Sequence, residues 1–201
     1  MSLKKVNLYF LFAMLMSAGM PAFAQSAKTW IVNGNSNLRV NGSTNINKFS
    51  CVIPSYGHTD TLILAGVKNS MAVSLSGDID LQIKSFDCHN SLMTRDLRKT
   101  LRDDQFPLLH IRFISLSKMP DVTAQESELT GLVDIGLAGV QKRFTIAYRL
   151  QKGAGGNIRL LGSQQIRFSD FNLIPPRKLG GMIRTNDTLY VDFCLDITQV
   201  E

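Results

Sequence analysis

Three histidines, three cysteines and a pair of nearby aspartates are the residues of this chain best suited to chemistry. His58, His89 and His110 stand far apart, without the paired spacing of metal ligands. Cys88-His89 brings one thiolate and one imidazole together, whereas structural zinc takes about four ligands, so neither a metal nor any other cofactor is expected. The same two residues make a poor nucleophile and base, because neighbours on a strand point to opposite faces. Asp78 and Asp80 do share a face, as paired catalytic carboxylates would. They sit on the polar side of a regular alternation, which reads as solvated surface. A Gly-rich phosphate loop, a Gly-x-Ser-x-Gly elbow and a His-Glu-x-x-His pair are all missing from the sequence. The chain reads as a non-enzyme.

The cysteines take their meaning from the N-terminus. Lys4 and Lys5 precede a mostly apolar run from Val6 to Met16, and Ala22-Phe23-Ala24 offers small residues around a cleavage point. That three-part pattern is a secretory signal peptide over 1–24. Removing 24 of the 201 residues, two lysines among them, leaves 177 and lowers the net charge from +6 to +4. The expected product is a periplasmic or secreted protein, in a compartment where disulfides persist. Cys51, Cys88 and Cys194 all remain, and three thiols allow one internal bridge at most. Cys51 lies on the apolar parity of its strand, Cys88 ends the strand that leads into a helix, and Cys194 falls on a polar parity. Cys51–Cys88 is therefore the expected pair and Cys194 the spare thiol, although spacing alone does not fix connectivity.

The elements that must position any site are strands. Met71, Val73, Leu75, Ile79, Leu81 and Ile83 alternate with polar residues, as do Phe144 to Leu150 and Leu189 to Ile197. Shorter runs at 37–42, 46–53, 61–67, 108–116, 129–138 and 157–168 behave alike. Period-two patterning gives each strand one apolar and one wet face, the signature of antiparallel sheets. About eight such strands in one domain, 25–201, mean a sandwich or a barrel. One segment departs from this. Met93, Leu97 and Leu101 recur every four residues, predicting a short amphipathic helix over about 91–102, capped by Asn90 or Ser91. A lone helix in such a chain is expected to cover an open end or a gap between strands.

Four stretches, in order, carry a resemblance. They are Ser36-Asn-Leu-Arg-Val with Gly42 to Cys51; Ile83 to Asp96 with Leu101 and Phe106-Pro107; Ile135-Gly-Leu-Ala-Gly-Val-Gln-Lys142; and Arg167-Phe-Ser-Asp-Phe171. Together they resemble the YceI-like family of exported, lipocalin-like β-barrels associated with polyisoprenoid binding. Asn172-Leu-Ile-Pro-Pro-Arg-Lys178 departs from the family's glycine-rich late segment, and the cysteines are not a general family feature. The resemblance implies an antiparallel up-and-down barrel of about eight strands, with the helix near one end and an inner face lining an apolar cavity. Phe49, Phe86, Met93, Leu97, Leu101, Phe106, Phe113, Phe168 and Phe171 are the candidate lining. Arg95 and Asp96 match the family's Arg-Asp pair, which makes Arg95 a candidate contact for a polar head group at the cavity mouth.

The function expected from these readings is non-enzymatic binding, transport or sequestration of a polyisoprenoid or isoprenoid quinone. The alternatives are a fully packed barrel acting as a protein-interaction or structural module and, behind it, a lipid-acting enzyme. Nucleic acid is not an expected partner, because Arg112, Lys118, Lys142, Arg143, Arg159, Arg167, Arg177 and Lys178 are scattered rather than striped. After the leader, no apolar run reaches the roughly 18–20 residues of a membrane span. A homodimer is left open.

Overall fold

Alternation becomes a barrel in the computed structural model, which describes residues 27–67 and 70–200. The segment read as a signal peptide lies outside them. The strands are β1 (Lys28–Val32), β2 (Asn37–Ser43), β3 (Lys48–Ile53), β4 (Asp60–Gly66), β5 (Val73–Gln82), β6 (Leu108–Leu116), β7 (Glu126–Leu137), β8 (Val140–Lys152), β9 (Ile158–Arg167), the two-residue pair β10 (Arg177–Lys178) and β11 (Ile183–Arg184), and β12 (Thr188–Val200). Eight of them close an antiparallel ring in the order β1-β4-β5-β6-β7-β8-β9-β12, and β12 returns to β1.

The ring is not a plain meander. β12 is long enough to serve two partners on one edge: Ile197–Val200 pair with β1, and Tyr190–Cys194 pair with β2. β1 and β2 are thus two lengths of one course along β12. The break between them is stitched down where Asn33 donates its N–H to the Asp196 carbonyl (2.7 Å) and Asp196 donates its own to Ser36 Oγ (3.0 Å). β4 runs beside β1 and reaches β5, whereas β3 runs beside β2 and does not. At that end a gap opens between β3 and the second half of β5.

Residues 83–101 cover the gap. Val52 and Asp87 exchange backbone hydrogen bonds at 2.8 Å each, and Cys51 and Cys88 form a disulfide with their Cα atoms 3.9 Å apart. The helix α1 (Ser91–Thr100) follows, its first turn capped by Asn90 Oδ1 accepting from the Met93 N–H (3.0 Å). It stops two residues short of the span the periodicity predicts, where Arg102 turns left-handed (φ 58°) and ends the helical hydrogen bonding. Opposite it, β7 and β8 are joined by Ala138 and Gly139, both at positive φ (51° and 80°), as a tight right-twisting hairpin requires. Phe106 presses against this turn so closely that a Cβ on Gly139 would stand 2.7 Å from its ring.

Cys194 differs in burial from its sequence reading. It does lie on the outer parity of β12, yet it is buried, with the Arg159 guanidinium 3.4 Å from its sulfur. A long cationic side chain laid along a sheet covers a small residue beneath it.

Candidate functional site

Inward side chains fill the two halves of the barrel differently. Around β1 and β4, Trp30, Val32, Leu62, Leu64, Leu75, Leu116, Leu150, Leu160 and Ile197 are all buried to within 1% of complete exclusion. They interdigitate as a solid plug. None of them lines the cavity that lies beyond. Beyond the plug, toward α1, the same strands enclose a cavity of about 100 Å³. Twenty-five residues line it and none of them is charged. The walls are mostly Leu, Ile, Val and Phe from the strands, with Phe86, Leu97 and Leu101 contributed by the gap-covering segment.

The floor of the cavity is built from aromatic rings laid over glycines. A Cβ on Gly131 would stand 2.7 Å from the Tyr148 ring, and one on Gly162 would stand 2.2 Å from Phe193. Gly162 is the direct cross-strand partner of both Tyr148 and Phe193. Without side chains of their own, these glycines let the two rings lie against the sheet. They meet edge to face with centroids 5.9 Å apart, a favourable aromatic geometry. Tyr56 also lines the cavity, and its hydroxyl donates to the Asp60 carboxylate. The Tyr148 hydroxyl is buried with no hydrogen-bond partner among the described residues. Burial pushes the Tyr148 phenol well above its ordinary range, so it stays protonated. Gln164 lines the same space from β9, its Nε2 donating to the Gln165 carbonyl at 2.9 Å.

Of the nine residues proposed for the lining, Phe86, Leu97, Leu101 and Phe113 border the cavity. The other five lie elsewhere. Phe49 folds over Gly42, and Met93 packs half-buried on the core from α1. Phe106 sits on the hairpin turn in a separate, shallower depression. Phe168 and Phe171 are buried in a short helical turn after β9, where Phe171 meets Phe144 at 6.2 Å. That turn and α1 together close the end of the barrel: Arg102 donates to the Asn172 carbonyl (3.2 Å), and Lys178 pairs with Asp96 (2.7 Å). Arg95 is exposed and does not border the cavity. The helix arginine that turns inward is Arg98, which donates to the Phe86 carbonyl at 2.8 Å.

Sequence reasoning passed over Tyr148, Phe193 and Gln164 as lining residues. Tyr148 and Phe193 carried a signal, since both occupy the apolar parity of their strands. Gln164 carried a clearer one, as a polar residue on the apolar parity of 158–168. The polar residues weighed for catalysis face outward: Asp78 pairs with Arg112 (2.8 Å) and Asp80 with His110 (2.5 Å), all in solvent. Among the described residues, no group of three His, Cys, Asp or Glu stands where it could hold a metal ion, and no helix is long and apolar enough to cross a membrane.

No family model matches this sequence, and no curated protein does. Solved structures do match. A polyisoprenoid-binding domain from Saccharophagus degradans, implicated in plant cell wall breakdown, superposes with a TM-score of 0.61 at 13% identity over 84% of this chain and 97% of that one. Burkholderia cenocepacia BcnA superposes with a TM-score of 0.57 at 13% identity, covering 81% and 96%. What is shared at such identities is the fold.

Proposed function

We propose that this chain is a YceI-like carrier that takes up an apolar chain lipid, a polyisoprenoid or isoprenoid quinone, inside its barrel, and that it works outside the cytoplasm. The observation that carries this reading is the uncharged cavity at the α1 end, set beside a plug of fully buried side chains at the other end. Apolar walls with a few polar groups are the usual form of a small-molecule site. Burying an isoprenoid chain there gains roughly 25 cal/mol per Å² of apolar surface, less the cost of ordering the chain. A charged head would find no counter-ion in the cavity and stays at the solvent end.

The structural neighbour named for polyisoprenoid binding supports this ligand class, and the Cys51–Cys88 bridge suits an oxidising compartment. Binding without turnover fits the placement of the chemistry-bearing side chains, Asp78, Asp80 and His110, on the wet outer face. Native mass spectrometry and organic extraction of freshly purified protein test the reading. A co-purifying lipid, or uptake of isoprenoid or quinone probes, is expected. Protein that never carries lipid and takes up neither probe would instead be an interaction module, and turnover of an added lipid would make it an enzyme.

A further inference from the structure

At the hollow end of the barrel a small hairpin carries large apolar side chains that the core does not use. β10 and β11 are joined through Leu179, Gly180, Gly181 and Met182, with Ile174 just before them. Leu179, Met182, Ile174 and Ile46, the last on the β2–β3 turn, are 60–79% exposed. The two turns are one body. Asn45 donates from Nδ2 to the Met182 carbonyl (2.9 Å), and its Oδ1 accepts from the Arg184 N–H (2.9 Å). Beneath them, Lys178 holds Asp96 of α1 and Asn186 holds Ser43, so the patch is anchored to the end that carries the cavity. A Cβ on Gly180 or Gly181 would meet nothing within 4 Å, so the tip itself stands clear of the rest of the molecule. Packing explains the anchorage and leaves the apolar tip unexplained.

The charges around the tip say what covers it. Arg177 and Arg184 are direct partners across the hairpin and both are exposed, as is Lys48 at the start of β3. Like charges set opposite each other destabilise a strand pair. Among the described residues none of these three cations belongs to an ion pair. The carboxylates adjoining the hairpin are engaged elsewhere, Asp96 with Lys178 and Asp187 with Ser169. Arg184 also gives one guanidinium N–H to the Gly181 carbonyl (2.8 Å), which fixes it beside the tip. We propose that this patch docks the protein on an anionic lipid bilayer, with Leu179, Met182 and Ile46 entering the interface while Arg177, Arg184 and Lys48 meet headgroup phosphates. Exposed apolar patches mark contacts with proteins or membranes, and cations beside a membrane surface favour anionic lipid. A protruding tip offers a protein partner no pocket for an anchoring side chain, whereas a fluid interface closes around it. The inference goes beyond the carrier reading and adds the surface at which a lipid would be exchanged.

The test is co-sedimentation with vesicles of phosphatidylcholine alone or mixed with phosphatidylglycerol. The protein should sediment with the mixed vesicles at about 0.1 M salt and bind them more weakly toward about 1 M, where the screening length falls to about 3 Å. Arg177→Gln together with Arg184→Gln should weaken binding about 10- to 30-fold. Leu179→Ser together with Met182→Ser should weaken it about tenfold or more. Met71→Ser, at the plugged end and 85% exposed, should bind as the original chain does. All these positions are exposed, so Tm should not fall, and uptake of farnesol from solution without vesicles should be equal in every variant. Failure of the original chain to bind the mixed vesicles, hairpin variants that bind as well as it does, or an equal loss in Met71→Ser would each overturn the docking surface and leave the carrier standing. A protein that docks but takes up no farnesol would keep this inference and count against the carrier reading alone.

Discussion

One half of this barrel is solid and the other is hollow, although the same β5, β6, β7, β8, β9 and β12 run through both. In the solid half, Trp30 and the leucines around it fill the bore, and β1 and β4 complete the hydrogen-bonded ring. In the hollow half the ring gives way to β2 and β3, and the wall is completed by residues 83–101 with a disulfide and a single pair of backbone hydrogen bonds. Apolar burial holds the first half together. The second gives up interior packing for free volume, so its closure needs covalent help. The comparison shows how one strand pattern yields both a stable foundation and a binding site.

Truncation is the strongest way to break this contrast. Trp30→Ala should cost about 3–5 kcal/mol, as large cavity-forming changes do, and lower Tm by about 10 °C or more. Ile111→Ala borders space that is already free, so it should cost under about 1.5 kcal/mol, since little new void forms. Equal losses in urea unfolding would mean that the hollow half is packed.

Next in size is the tie across the gap. Cys51→Ser or Cys88→Ser should remove about 2–4 kcal/mol for a bridge spanning 37 residues. Amide exchange should rise first in residues 83–101 and β3 while the Trp30 end stays protected. Uniform loss of protection would show that the halves do not open separately.

Phe113→Trp should change stability by only about 1 kcal/mol but sharply reduce lipid uptake, because the larger ring projects into the cavity. Normal uptake by a folded variant would take Phe113 out of the binding space.

The smallest effect lies on the outer wall. Arg143 donates two hydrogen bonds to Asp134, at 2.7 and 2.9 Å, and holds that carboxyl below the usual carboxylate range. Its contribution is present above the unfolded carboxyl pKa near 3.9 and is lost as pH falls through the lowered folded value. Asp134→Asn should therefore lower Tm slightly at pH 7, and thermal melts should show the gap to the original chain closing below about pH 4. A gap that persists at low pH would assign the loss to something other than this ion pair.

Much of the fold was legible along the chain. The parity of Val73 to Leu81, of Phe144 to Leu150 and of Leu189 to Ile197 assigned inner and outer faces. The four-residue stripe of Met93, Leu97 and Leu101 marked α1. The Cys51–Cys88 pairing was anticipated from where the two strands lead. The candidate lining was half legible: Phe86, Leu97, Leu101 and Phe113 border the cavity, while Phe49, Phe106, Phe168 and Phe171 fill corners elsewhere. Parity says that a side chain points inward. It does not say how far along the bore, and depth is what separates plug from cavity.

The amino-acid sequence by itself determined local matters, because side-chain direction on a strand and capping on a helix depend on residues a few positions apart. It settled alternation, the one helix and an apolar inner face. Tertiary structure alone decided where the free space begins. That boundary depends on which residues meet across strands: Gly131 under Tyr148, Gly162 under Phe193, and β12 divided between β1 and β2. Strand register is a long-range property, and a glycine becomes a seat for an aromatic ring only once the partner strand delivers that ring.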